Sequence, residues 1–289
     1  MSHLFCFWLG YSAEALARRL AAIGWQVSGT AATPENVDRI GRLGYAGLPF
    51  DGTAAAPSVA RRLVQATHVL VSVPPDTVGD PVLRRYADDL RSARGLEWIG
   101  YLSTVGVYGN HHGRWVDEET PVAPLSERSR WRVAAERAWL AFGEHSDKRV
   151  EVFRLAGIYG PGRSAVDDLG RGTARRIVKP GQVFNRIHVE DIATTLQAAI
   201  ARAGPHRIYN VSDDEPAASE DVVLYAAQLM QLQPPGALSF DQADLTPMAR
   251  SFYAECKRVS NRRIKIELAV ALAYPTFREG LRAIVEATD

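Results

Sequence analysis

The chain has 289 residues, 34 Lys and Arg against 33 Asp and Glu, and a formal net charge of +1, which excludes a polybasic nucleic-acid or membrane-surface protein. With 46% apolar residues it can bury the core of one large or two smaller domains, so intrinsic disorder is ruled out as its main state. Two distant cysteines, Cys6 and Cys256, give neither a disulfide framework nor a zinc site, and no apolar run reaches ~18 residues; a soluble, cytoplasmic protein without nucleic-acid or membrane partners is expected.

Short β-rich runs at 3–9, 26–30, 68–73, 98–103 and 150–155 predict buried strands. Between the first two, 13–23 predicts a helix with Leu16, Leu20 and Ile23 on one stripe, Arg18 and Arg19 turned away, and Gly24 as its stop. A second helix at 35–43 ends at Gly44 in the same way, with Arg39 and Arg42 on its solvated face. Strands alternating with helices imply right-handed crossovers and a parallel sheet covered on both faces, a doubly wound α/β fold. Beyond Gly160 glycine and basic residues become dense. The expected division is therefore 1–160 for the α/β domain and 161–289 for a smaller α+β portion. Its elements are a helix at 190–202, a strand at 207–211, a helix at 219–231 and a closing helix after Pro275. Arg171 and Arg175, four apart, and Arg176 and Lys179, three apart, suggest a basic stripe on one helix. Adjacent His111 and His112 point in different directions on an extended chain, so that loop reads as polar surface rather than metal site.

Four segments then follow in order: Ser103-Thr104-Val105-Gly106-Val107-Tyr108-Gly109, the run Phe153 to Gly162, Ile187-His188-Val189-Glu190-Asp191, and Tyr209-Asn210-Val211-Ser212-Asp213. Together they resemble the motifs of the extended, epimerase/dehydratase-type short-chain dehydrogenase/reductases, and most closely the atypical members. The resemblance implies a Rossmann-type domain that binds NAD or NADP, a C-terminal substrate portion, and a small hydroxylated substrate, such as a nucleotide sugar or a phosphate-bearing compound. It also implies a homodimer through helices near 81–93 and 126–145. The implied cofactor residues are Gly10, Tyr11, Ser12, Thr30, Val73, Pro74, Ser103, Arg132, Ala156, Gly157 and Ile158. Thr104 takes the catalytic hydroxyl position, Tyr108 and Tyr159 wall the substrate cleft, and Asp191 ties down a loop or helix start, with His188 beside it in a capping or packing role.

Three departures from that pattern bear on chemistry. Trp8 stands where the phosphate loop expects a glycine, so Gly10, Tyr11 and Ser12 either still present N–H groups to a pyrophosphate or are closed off by the indole. After strand two, Thr30-Ala31-Ala32-Thr33 offers no acid for the ribose of NAD and no arginine for the phosphate of NADP, only the Thr30 hydroxyl. The Tyr-x-x-x-Lys pair is replaced by Arg128 and Arg132. A guanidinium binds hydroxyls or phosphates but does not shuttle protons, which leaves Thr104, Tyr108 and Arg132 as the catalytic candidates. Two functions stay open: redox or epimerase/dehydratase-type chemistry, or a non-catalytic nucleotide sensor or interaction protein.

Overall fold

The structure is a computed structural model and describes residues 2–287. In chain order, the first part runs β1 (His3–Phe7), α1 (Tyr11–Ala22), β2 (Gln26–Ala31), α2 (Pro34–Arg42), β3 (Ala46–Pro49), α3 (Pro57–Leu63), β4 (His68–Val71), α4 (Pro81–Ser92) and β5 (Trp98–Thr104). A 3-10 turn at Val105–Tyr108 leads to β6 (Trp115–Val116), α5 (Glu127–Ser146), β7 (Arg149–Leu155), β8 (Gly157–Tyr159), α6 (Ala165–Gly170), β9 (Arg176–Val178), β10 (Arg186–His188) and α7 (Val189–Ala201). The chain continues through β11 (Arg207–Val211), α8 (Ser219–Leu229), β12 (Ala237–Ser239), α9 (Pro247–Phe252), β13 (Arg258–Val259), α10 (Arg262–Glu267) and α11 (Phe277–Glu286).

Seven strands form one sheet in the order β11-β7-β5-β4-β1-β2-β3. β1 pairs in parallel with both β2 and β4, Cys6 lying opposite Gly29 on one side and Leu70 on the other. This is the expected doubly wound sheet, and the strand order reverses between β1 and β4. All five residues of β1 are buried, as a strand covered on both faces requires. Gly24 and Gly44 stop α1 and α2 as read from the sequence: both take left-handed φ (85° and 83°), and the N–H of Trp25 reaches back to the carbonyl of Leu20. The short β3 and α3 escape periodicity, because AGLP and PSVARRL are too brief to show a pattern.

Contacts divide the chain into two units. One comprises Met1–Thr104, Glu127–Arg154 and Ile192–Tyr209; the other comprises Val105–Ser126, Leu155–Asp191 and Asn210–Asp289. The single boundary expected at 160/161 is thereby corrected. The chain leaves the first unit after β5 and returns with α5 and β7. It returns again with α7 and the start of β11, which closes the sheet edge beyond β7.

The first unit's core centres on Phe5, Phe7, Phe50 and Tyr86, with ring centroids of successive partners 5.0 to 5.7 Å apart. Two ion pairs are buried in it. Glu136 and Arg154 meet at 2.8 Å, and the Glu151 carboxylate accepts from the Trp98 indole at 2.7 Å and from Arg202 at 3.0 Å. Each carboxylate thus has a cation and a further donor, without which so deep a charge would be costly.

The second unit packs Tyr159, Val166, Val222, Phe277 and Leu281 into one cluster and holds the short parallel pairs β8–β10, β9–β12 and β6–β13. In this unit Asp213 is 2% exposed, and burial pushes its carboxyl up to about 8 against the pull of Arg186. The Arg186 guanidinium, itself lowered by burial, donates to the carbonyls of Phe184 and Ala217.

Two predictions follow from this packing. A Cβ at Gly29 would lie 2.7 Å from Leu9 Cβ and 3.1 Å from the Cys6 carbonyl, so Gly29→Ala should lower stability by about 1–3 kcal/mol in urea denaturation. The Asp213 carboxyl holds its proton in the fold after the unfolded chain has released it, so its contribution to stability falls as pH rises from about 4 to about 8. Asp213→Asn should lack that fall, and its stability relative to the parent should climb between about pH 4 and pH 8 in denaturant titrations.

Candidate functional site

In a doubly wound sheet, ligands gather beyond the carboxyl ends of the strands where strand order reverses. Here that place is the β1–α1 turn in the first unit. Trp8 takes a φ of 62°, the left-handed region a glycine enters freely, at a cost of roughly 1–2 kcal/mol for a side chain with a Cβ. Four hydrogen bonds hold it there. Its amide donates to Thr30 Oγ1 at 3.0 Å and its indole Nε1 to the Phe50 carbonyl at 2.8 Å, while its own carbonyl accepts from Ser72 Oγ at 2.6 Å and from the Gly10 amide at 2.9 Å.

Gly10 precedes α1 as its N-cap and offers no side-chain acceptor to the helix. A Cβ built there would meet nothing within 4 Å, so the indole, drawn off to Phe50, does not fill the space over this helix start. Tyr11 and Ser12 form the first turn, Ser12 buried and Tyr11 half-buried. Thr30 is wholly buried, and its hydroxyl anchors the Trp8 amide. Arg39 does not stand on a solvated face as expected. Its guanidinium reaches the Leu9 carbonyl at 2.7 Å and Glu14 at 2.5 Å, clasping α2 to the turn. Thr33 caps α2 by accepting from the Asn36 amide.

Beside the turn lies a cleft of about 730 Å³, lined by Trp8, by Asp51 to Thr53 after β3, by Val73 to Asp76 and Val78 after β4, and by Pro81, Arg84 and Arg85 of α4. The expected Val73 and Pro74 are in this wall. Asp51, Arg84 and Arg85 were missed, and recognising β3 would have exposed the first of them. Arg84 grips Asp76 through two bonds of 2.7 Å, and Asp51 accepts from the Thr53 amide and hydroxyl.

At the end of β5, Ser103 donates to Glu136 at 2.5 Å, and Glu136 also takes both Nε and Nη2 of Arg154. Ser103 therefore belongs to a buried network. Thr104 follows it, half-buried, as the last residue of β5. Arg132, one face of α5 away, donates from Nη1 to the Tyr101 phenol at 3.1 Å and to the Leu102 carbonyl at 2.9 Å. Its guanidinium carbon lies 5.6 Å from the Tyr101 ring centroid. Burial pushes the Tyr101 phenol well above its ordinary range, with Arg132 opposing.

In the second unit Tyr108 is fully buried and donates to Asn210 Oδ1 at 2.7 Å, while the Asn210 amide donates to Glu118. Ala156 donates to the Val211 carbonyl and Gly157 to that of Asn185; Ile158 pairs with Ile187 in the β8–β10 ladder. Asp191 accepts from the amides of Ala273 and Tyr274 at 2.7 and 3.0 Å, tying down the stretch before α11. His188 packs between Tyr159 and Tyr274, its Nδ1 accepts from the Glu190 amide, and burial lowers its pKa to about 4.

The basic stripe on a helix is not formed. α6 ends at Gly170, Gly172 turns the chain with a φ of 68°, and Arg176 begins a strand. Each cation has its own partner instead: Arg171 pairs with Asp168, Arg175 with the Asp244 carbonyl, Arg176 with Glu220 and Lys179 with the Tyr253 carbonyl. Among the described residues no group of three or more His, Cys, Asp or Glu is placed to hold a metal ion, and no helix is long and apolar enough to cross a membrane.

Residues 83–212 match the model of the NAD dependent epimerase/dehydratase family. A solved structure of a functionally unknown conserved protein from Silicibacter pomeroyi DSS is 50% identical, with a TM-score of 0.91 and 99% of each chain covered. Protein YeeZ of Escherichia coli K12 is 27% identical over 78% of this chain and 83% of its own. MoeE5, solved in complex with UDP-glucuronic acid and NAD, shares the fold at 20% identity, with a TM-score of 0.78 over 100% of this chain and 99% of its own. With the seven-stranded sheet, its order and the motif series in place, the chain is similar to the NAD dependent epimerase/dehydratase family over residues 83–212 and carries the Rossmann-type fold.

Proposed function

We propose that the protein binds NAD or NADP and carries out epimerase/dehydratase-type or redox chemistry on a small hydroxylated substrate, without a Tyr-x-x-x-Lys pair. The observation that supports this reading is the start of α1: an N-terminus without a side-chain cap, open space over Gly10, and the first-turn amides of Tyr11 and Ser12. A pyrophosphate suits such a place, since the helix dipole and N–H groups favour an anion. The residues present therefore fit a dinucleotide, with the adjoining cleft for its adenosine half. The nicotinamide, when bound, supplies the hydride acceptor or donor.

In this reading Thr104 orients the substrate oxygen. Arg132, whose Nη1 is engaged on β5, would hold a ribose hydroxyl, as the resemblance implies. Thr30 and Ser103 act one step back, through the Trp8 amide and through Glu136. Tyr108, with its phenol held by Asn210, is a fixed wall rather than a proton carrier. A nucleotide sugar or other phosphate-bearing substrate is consistent with the UDP-glucuronic acid seen in MoeE5. Homodimerisation through α4 and α5 and residence in the cytoplasm complete the proposal, on the family resemblance and the near-neutral charge.

A second reading, a nucleotide sensor without turnover, is favoured by the same Arg132 geometry. A guanidinium fixed on the Tyr101 phenol and a strand carbonyl can bind but not exchange protons. The test is titration of the protein with NADPH and NADH, followed by nicotinamide fluorescence and thermal shift. Binding of one or both is expected at micromolar affinity, about −8 kcal/mol, and Arg132→Met should weaken it about tenfold. Failure of both dinucleotides to bind sinks the proposal; binding without turnover across a panel of nucleotide sugars selects the sensor.

A further inference from the structure

We propose that Trp8 is a specificity-determining residue, its indole serving as the stacking platform for the flat heteroaromatic base of a nucleotide in the cleft beside β1; this rests on the dinucleotide reading. The backbone at Trp8 keeps the left-handed conformation of a glycine, with a φ of 62°, although the residue is the bulkiest available. Strain of this kind persists where surrounding bonds over-determine it, and such outliers cluster at ligand sites. Here the amide, the carbonyl and the indole N–H of one residue are all bonded, to Thr30, Ser72 and Phe50 respectively.

The direction of the ring carries the inference. Nε1 is tied at 2.8 Å to Phe50, and the cleft wall continues from the next residue, Asp51. The indole therefore bridges from the end of β1 to the end of β3 along the cleft, half-buried, with one edge immobilised. Val73, Pro74 and Val78, apolar side chains without donors, line the same cleft. A cleft of about 730 Å³ lined by one aromatic ring and these aliphatic groups suits a planar base. Stacking on an aromatic side chain is tolerant of which base it holds. Asp51 and Arg85 at its rim add an acceptor and a donor for the edge of the ring.

The consequence is a shift in where affinity resides. A glycine at this position would contribute only backbone, and the pyrophosphate would dominate binding; with the indole in place, the base half carries a large share. A mononucleotide holding base and phosphates should then bind nearly as well as the whole dinucleotide.

The experiment measures ADP, nicotinamide mononucleotide and NADPH on the full chain and on Trp8→Gly and Trp8→Phe, by calorimetry and tryptophan emission. Glycine suits the backbone at this position, so the first variant keeps the turn, and circular dichroism checks it. ADP should quench the emission component that is lost in Trp8→Phe. Trp8→Gly should bind ADP about tenfold more weakly with the mononucleotide of nicotinamide unchanged, and Trp8→Phe should fall between. Equal or tighter ADP binding by Trp8→Gly overturns the inference, because the indole is then an obstruction. NADPH binding without ADP binding also overturns it while the cofactor reading stands. ADP binding that depends on Trp8, with neither NADPH nor NADH bound, upholds the inference and removes the cofactor reading; no binding of any nucleotide removes both.

Discussion

The parallel register of β1 between β2 and β4 is the constraint on which the first unit depends. Because both neighbours run the same way, the ends of all three strands arrive at one edge, and Trp8, Thr30 and Ser72 come together though they are far apart in sequence. The hydroxyls of the two flanking strands' ends then close on the backbone of the central one: Thr30 takes the Trp8 amide, and Ser72 gives to the carbonyls of Phe7 and Trp8. Unpaired polar groups at such a buried edge would be costly. The turn is therefore fixed by side chains from outside it, which is how a residue with a Cβ is kept where glycine is the unstrained choice.

The same economy governs the end of β5. A strand buried on both faces leaves no water to solvate charges, yet Glu136 and Arg154 sit there, each at most 4% exposed. Their mutual bond and the Ser103 hydroxyl satisfy the carboxylate. Arg132 is drawn to the strand in a different way, through a phenol and a main-chain carbonyl. A lysine ammonium is a compact rotatable donor, whereas the Arg132 guanidinium is a planar fork whose Nη1 is already committed to the strand.

Much of this was legible in the residues. The strand runs are continuous apolar stretches, the glycines at 24 and 44 stand where a helix must end, and the motif at Ser103–Tyr108 marks the end of a central strand. What stayed hidden shares one cause: sequence spacing describes local geometry and does not say which distant partner a side chain finds. Arg39 lies on the polar side of its helix by periodicity, yet its length carries it to Leu9 and Glu14. Arg171 to Lys179 have helical spacing, but Gly170 and Gly172 break the helix before the stripe can form. The interleaving of three segments in each unit was likewise out of reach, because segments enter and leave a sheet without a compositional boundary.

Trp8 shows how the two levels combine. From sequence, the residue posed a binary question, whether an indole in a glycine position closes a phosphate site. The geometry answers with a third arrangement. The backbone is that of the glycine, so the helix start at Gly10 stays open; the side chain is carried away from it by the Phe50 carbonyl and laid along the neighbouring cleft. The loss of a fingerprint residue thus does not amount to the loss of its conformational role, since φ is set by the turn and its hydrogen bonds and the residue type sets only the energy of adopting it. A degenerate motif is in this case better read from its backbone angles than from its letters.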